Sequence, residues 1–175
     1  MARITLFRHG KADTPSMAKD DFERELTSRG RRNAATMGAF IQQQAMLPDH
    51  VLVSPAARTR ETFEIASSNW PEIPHEICPS IYEGTASALL LLIAERAAEL
   101  NNIMIVGHNP GLVVLLNHMV GSRHTDRNLS YFPTCCVADV GFGVDRLADI
   151  DPDEGTLLSM IRVRDLAPSQ QRKEK

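Results

Sequence analysis

No stretch of this 175-residue sequence is long and apolar enough to span a membrane: the longest apolar run, residues 89–94, falls far short of the roughly 20 residues a spanning helix needs. No secretory leader is expected either. Met1 leads almost at once into the strand-like Arg3-Ile4-Thr5-Leu6-Phe7, and no small-residue cleavage pattern comes after it. Cysteine is scarce. Of Cys78, Cys135 and Cys136, two are adjacent, which is poor geometry for a disulfide and lacks the paired spacing of a zinc site. They read as buried thiols in a reducing compartment. A net charge of -3 supplies no global basic field for nucleic acid, and no acidic block keeps the chain unfolded. Any anion binding must therefore be local. A Gly-rich loop ending in Lys-Ser or Lys-Thr is absent, which removes P-loop nucleotide hydrolysis. These absences predict a soluble cytoplasmic protein with neither a membrane nor a nucleic-acid partner.

What is present suits one packed domain. Hydrophobic residues make up 43% and charged residues 23%, close to globular averages, and the length allows one core rather than two. The domain is expected over residues 1–167, with a polar, frayed tail over 168–175. Residues 4–7 read as a short buried strand, and 50–53, 76–78 and 103–106 as further short strands. Between them lie helical patterns: one from a Thr27 cap to about residue 44 with Ala34, Met37, Phe40 and Ile41 on one face, one over 57–67, and one over 86–100. A further helix comes next over about 112–119. Residues 135–140 and 157–163 read as strands without a helix between them, hence a hairpin at a sheet edge. The expected fold is α/β with three layers: an open, mostly parallel sheet, helices on both faces, and an antiparallel edge.

In such sheets ligands bind at the carboxyl ends of the strands. Arg8-His9-Gly10 stands after the first strand. Ser54-Pro55 stands after the second, with Arg58 in the first helical turn, and Gly107-His108-Asn109-Pro110 after the fourth. Two arginines and two histidines thus converge, with the N-termini of the helices after Pro55 and Pro110 adding oriented N–H groups. Guanidinium forks hold phosphate oxygens bidentately and stay charged at any working pH. A neutral imidazole can attack phosphorus and split hydrolysis into two steps through a phosphohistidine, while the second histidine steadies a phosphoryl oxygen. A metal site on His9 and His108 is the chemical rival. It lacks the carboxylates or further histidines such sites need, and two arginines would repel the cation.

The same residues resemble those of the histidine phosphatase superfamily, the group of phosphoglycerate mutases and acid phosphatases. Arg8-His9-Gly10 is similar to its signature triplet. Ser54-Pro55-Ala56-Ala57-Arg58 with Thr62 resembles its second motif, and Val106-Gly107-His108-Asn109-Pro110-Gly111 its third, above all in the SixA-type phosphohistidine phosphatases. Leu26-Thr27 followed by Gly30 is similar to a further stretch of the family. The resemblance covers about residues 4–115 and implies a phosphoglycerate mutase-like fold, His9 as nucleophile, Arg8 and Arg58 as phosphate clamps, His108 as the second phosphate-contacting histidine, and no metal or organic cofactor. Many members place a carboxylic acid after the third strand, and Glu83 is the nearest candidate proton donor. A weak acid suits phosphohistidine, because imidazole leaves with a conjugate-acid pKa of about 6.5 and needs less help than an alkoxide. Only one helix fits between Glu83 and Val106, too little for the lid of mutase-type members. The expected substrate is a phosphorylated protein. The alternatives are a small phosphate ester, or a module that binds phosphate without turning it over. Arg29-Gly30-Arg31-Arg32 reads as a solvated helix face, Arg3 and Arg60 as surface-paired, and His50, His75, His118 and His124 as structural or exposed.

Overall fold

In a computed structural model, which describes residues 1–14, 20–98, 100–121, 129 and 131–166, the short apolar runs become the strands of one six-stranded sheet. In chain order the elements are β1 (Arg3–Arg8), α1 (Ser28–Gln43), β2 (His50–Val53), α2 (Ala57–Ala66), β3 (His75–Ile77), α3 (Ala86–Arg96), β4 (Asn102–Gly107), α4 (Gly111–Val120), β5 (Val137–Gly141) and β6 (Thr156–Ile161). The sheet order is β3-β2-β4-β1-β5-β6. The first four strands in that order run parallel, while β5 and β6 form the antiparallel edge.

Strands β1, β2 and β4 read as continuous apolar runs because both faces are covered, whereas the edge strand β3 is the largely exposed His75-Glu76-Ile77. Ile4 and Leu6 of β1 and Ile103 and Ile105 of β4 pack with α3 and α4, whereas Phe7, Met104 and Val106 pack with α1 and α2. Right-handed crossovers account for this division. The chain moves outward from β1 to β2 to β3 with α1 and α2 on one face, then reverses, which sends α3 and α4 to the other. Strand β4, lying between β1 and β2, therefore leaves the sheet on the opposite face from both of its neighbours. That divergence opens a crevice at its carboxyl end.

Several boundaries differ from expectation; β3 covers His75–Ile77 rather than 76–78, and β6 ends at Ile161 rather than 163, where Val163–Asp165 forms a 3-10 turn. Helix α3 stops at Arg96 rather than near residue 100, because the chain must turn before β4 starts at Asn102. Strand β5 starts at Val137 rather than 135. Cys135 takes a left-handed φ of 58°, which lets its N–H bond the carbonyls of Arg8 and His9 at 3.1 and 3.0 Å. All three cysteines are buried free thiols. Among the described residues no helix is long and apolar enough to cross a membrane. The expected tail over 168–175 and His124 lie outside the described residues.

Candidate active site

The first strand delivers His9 into the crevice, and backbone contacts hold it there. The His9 N–H donates to the Gly107 carbonyl at 3.1 Å, tying the end of β1 to the end of β4, and Cys135 clasps the loop from the β5 side. On the third side the Gly10 N–H donates to Thr62 Oγ1 at 2.9 Å, and that hydroxyl donates to the Arg58 carbonyl at 2.6 Å. The stretch from Leu26 to Gly30 locks the loop at Lys11. Thr27 donates to the Lys11 carbonyl through both its N–H and its hydroxyl, then caps α1 by accepting from the Gly30 N–H. Position 30 must be glycine, since a Cβ there would sit 2.2 Å from the Lys11 carbonyl oxygen.

His9 is 8% exposed. Its Nδ1 lies 2.6 Å from the Gly10 carbonyl oxygen. A carbonyl only accepts, so Nδ1 carries the proton and Nε2 keeps its lone pair. Burial, reinforced by His108, Arg58 and Arg8, lowers the His9 pKa from 6.5 to about 3 against the opposing pull of the Gly10 bond. His108, whose ring centroid is 5.1 Å from that of His9, is lowered to about 4, chiefly by burial and then by Arg58. Both rings are neutral near pH 7. Ser54 Oγ holds His108 Nε2 at 2.7 Å, and the Tyr82 ring meets His108 edge-on at 5.6 Å.

The arginines are fixed from outside the cluster. Arg8 donates to the Phe132 carbonyl at 2.8 Å, as does the Asn109 amide at 2.9 Å. Arg58 is 6% exposed and donates to both the carbonyl and the carboxylate of Asp21, at 2.6 and 3.0 Å. Tyr82 donates to the same Asp21 carboxylate at 3.0 Å. Hydrogen bonds from Arg24, then Tyr82 and Arg58, hold the Asp21 carboxyl at about 2 despite the opposing effect of burial. Helices α2 and α4 start at the site with no side-chain cap, unlike α1 and α3, which Thr27 and Thr85 cap. Their first-turn N–H groups add positive potential.

An open cleft of about 560 Å³ adjoins the cluster, lined by Asp21, Arg58, Tyr82, Glu83 and His108 on its polar side and by Ile81, Pro110 and Val114 on its apolar side. The structure thus brings Arg8, His9, Arg58 and His108 to one strand-end edge and sets Glu83, exposed and at a φ of 54°, on the cleft rim. Asp21 and Tyr82 belong to the site as well, although nothing in the local sequence marks them. Among the described residues no group of three or more His, Cys, Asp or Glu side chains is arranged around a metal position. The remaining residues have other partners: Arg3 pairs with Asp139, His50 lies 3.5 Å from Glu76, His75 meets Phe63 with the rings tilted by 53°, and His118 lies 3.1 Å from Asp153.

A sequence model of the histidine phosphatase superfamily (branch 1) matches residues 4–88. An uncharacterized chloroplastic protein of Arabidopsis thaliana is 29% identical over 119 residues, 62% of this chain and 55% of its own length, so the chain spans about half of that relative. A protein of Picosynechococcus sp. is 31% identical over 116 residues, 62% of this chain and 67% of its own. Phosphohistidine phosphatase SixA of Escherichia coli is 26% identical over 143 residues, 79% of this chain and 84% of its own. Among solved structures, a candidate phosphohistidine phosphatase SixA of Agrobacterium tumefaciens superposes with a TM-score of 0.79 at 26% identity, covering 92% of this chain and 97% of that one. With the matched segment running from β1 into α3 and the shared fold extending over nearly the whole chain, the protein belongs to the histidine phosphatase superfamily.

Proposed function

We propose that this member of the superfamily is a phosphohistidine phosphatase that works through a covalent phosphohistidine on His9. The observation that carries the reading is the bond from His9 Nδ1–H to the Gly10 carbonyl, which leaves an unprotonated Nε2 beside two guanidinium groups. In the first step Nε2 attacks phosphorus, the bond from phosphorus to the leaving imidazole breaks, and that imidazole takes up a proton from solvent. The His9 ring gains positive charge as the new bond forms, and the Gly10 carbonyl stabilises it. In the second step water attacks the phospho-His9, the bond to Nε2 breaks, and phosphate departs with a proton released to solvent. Arg8 and Arg58 hold the phosphoryl oxygens, with His108 donating to one of them. Arg8 Nε and His108 Nδ1 are buried without a protein partner among the described residues, which fits groups that complete their bonding on an anion.

A protein-borne phosphohistidine is the favoured substrate because the cleft is open and the acid on its rim is solvated. The similarity to the E. coli phosphohistidine phosphatase supports the same choice. Charge on the transferring group is met by arginine, so no metal is required, and a chelator should leave the rate unchanged. The buried free thiols fit a cytoplasmic setting. A small phosphate ester is the second reading, favoured by Glu83 on the cleft rim, where a carboxylic acid meets an alkoxide leaving group. Glu83→Gln separates the two. If esters are the natural substrates it slows alkyl phosphates about tenfold or more, with p-nitrophenyl phosphate and phosphoramidates, whose leaving groups need less protonation, less affected. Equal effects on both classes remove Glu83 from the proton-donor role.

A further inference from the structure

The cleft occupies the β4 side of the His9 loop, and a second feature occupies the β5 and β6 side. There Lys11, Arg29, Arg162 and Arg164 line a cavity of about 260 Å³ together with Tyr131 and Asn33, and no carboxylate is among its lining residues. The guanidinium carbons of Arg162 and Arg164 lie 5.5 and 5.3 Å from the centre of the same Tyr131 ring, so one half-exposed aromatic carries two like charges. Arg29 adds a third in the first turn of α1, where the helix dipole opposes a cation. Asp165 sits 3.7 Å from Arg164, accepts from the Arg162 backbone N–H at 3.2 Å, and lies outside the cavity lining. Four cations line this cavity and no carboxylate does, so an anionic occupant meets a local positive potential within a chain of net charge -3.

The patch is joined to the nucleophile by the chain itself. Tyr131 to Thr134 run directly into Cys135, whose N–H bonds the carbonyls of Arg8 and His9, and Lys11 is only two residues beyond His9. A partner seated on the patch therefore rests against the loop that carries His9. We infer that this basic patch docks an acidic segment of the phosphorylated protein, next to the histidine whose phosphoryl group passes to His9. The inference rests on the phosphohistidine reading above. An extended nucleic acid is disfavoured, because the net-negative remainder of the surface repels a long polyanion, whereas a cavity of this size takes one or two carboxylate side chains.

The test uses synthetic peptides with a single histidine phosphorylated chemically by phosphoramidate, flanked either by a run of aspartates or by a run of serines. Wild-type protein should hydrolyse the aspartate peptide with kcat/KM about tenfold higher at low ionic strength, mainly through KM, and the advantage should vanish at about 0.5 M salt. The double variant R29E/R164E should abolish the preference while leaving the serine peptide and free phosphoramidate unaffected, which also shows that it folds. Equal rates on the two peptides in wild type, or a preference that survives in the variant, would overturn the docking surface alone. Competition by a short RNA that surpasses polyglutamate would reassign the patch to nucleic acid. Failure to hydrolyse any phosphohistidine peptide while p-nitrophenyl phosphate turns over would remove the substrate reading and the docking surface together.

Discussion

Arg58 and Asp21 form the contact in the site with the most direct chemical consequence. The guanidinium that is to hold a phosphoryl group is already held by a carboxylate that is ionised at neutral pH and stays so well into acid because Arg24, Tyr82 and Arg58 all donate to it. Asp21 thus orients Arg58 and at the same time places a negative charge where an anion must come. Asp21→Asn keeps the backbone carbonyl contact to Arg58 and removes that charge, so inorganic phosphate and tungstate should bind roughly three- to tenfold more tightly, measured as competitive inhibition. Weaker inhibition would mean that orientation of Arg58 dominates. Replacing Arg58 with alanine should lower kcat/KM by about 10²- to 10³-fold through loss of a preorganised charge. Four site residues are legible in the sequence because each stands directly after a predicted strand or in the helical turn beyond it. Asp21 and Tyr82 are not. They reach the site from short connecting turns, across separations of 37 and 61 residues from their partners, with no periodicity to place them.

At the scale of elements, the loop after β1 is held by contacts from α1, α2 and β5 rather than by its own residues. Gly30 shows how tightly. Gly30→Ala forces a methyl group into the Lys11 carbonyl, so α1 and the His9 loop must separate, at about 1–3 kcal/mol of stability and with a larger proportional loss of kcat. Chemical unfolding beside steady-state rates checks this, and an unchanged midpoint would show that the loop has slack. In the sequence Gly30 stands out only as a glycine in a first helical turn, because close approach of another segment leaves no trace in local pattern. The parallel strands and their helices are legible for the opposite reason. A sheet covered on both faces writes its central strands β1, β2 and β4 as short apolar runs, and Thr27 marks the α1 start by its capping chemistry. The start of β5 is not legible, because Cys135 belongs to an apolar run but spends its N–H on the His9 loop instead of the sheet.

For the molecule as a whole, burying two neutral histidines in one site links stability to pH. Each has a folded pKa well below its ordinary 6.5, about 3 for His9 and about 4 for His108. Above pH 6.5 neither the folded nor the unfolded chain protonates them, and they add no pH dependence. As pH falls below 6.5 the unfolded chain takes up protons that the folded chain refuses, so stability declines down to about pH 4 for His108 and about pH 3 for His9. His9→Asn should flatten part of that decline in a series of thermal melts, and an unchanged slope would contradict a buried neutral ring. The same neutrality lets His9 act without a separate base at pH 7, which leads to the central claim. The most direct measurement is to mix the protein with a phosphohistidine peptide or phosphoramidate, quench within the first turnovers, and map the label by mass spectrometry. The account predicts acid-labile, base-stable phosphate on His9 in the wild type and none in His9→Ala. Donor consumption by the wild type with no phosphate on His9 at any quench time would contradict it.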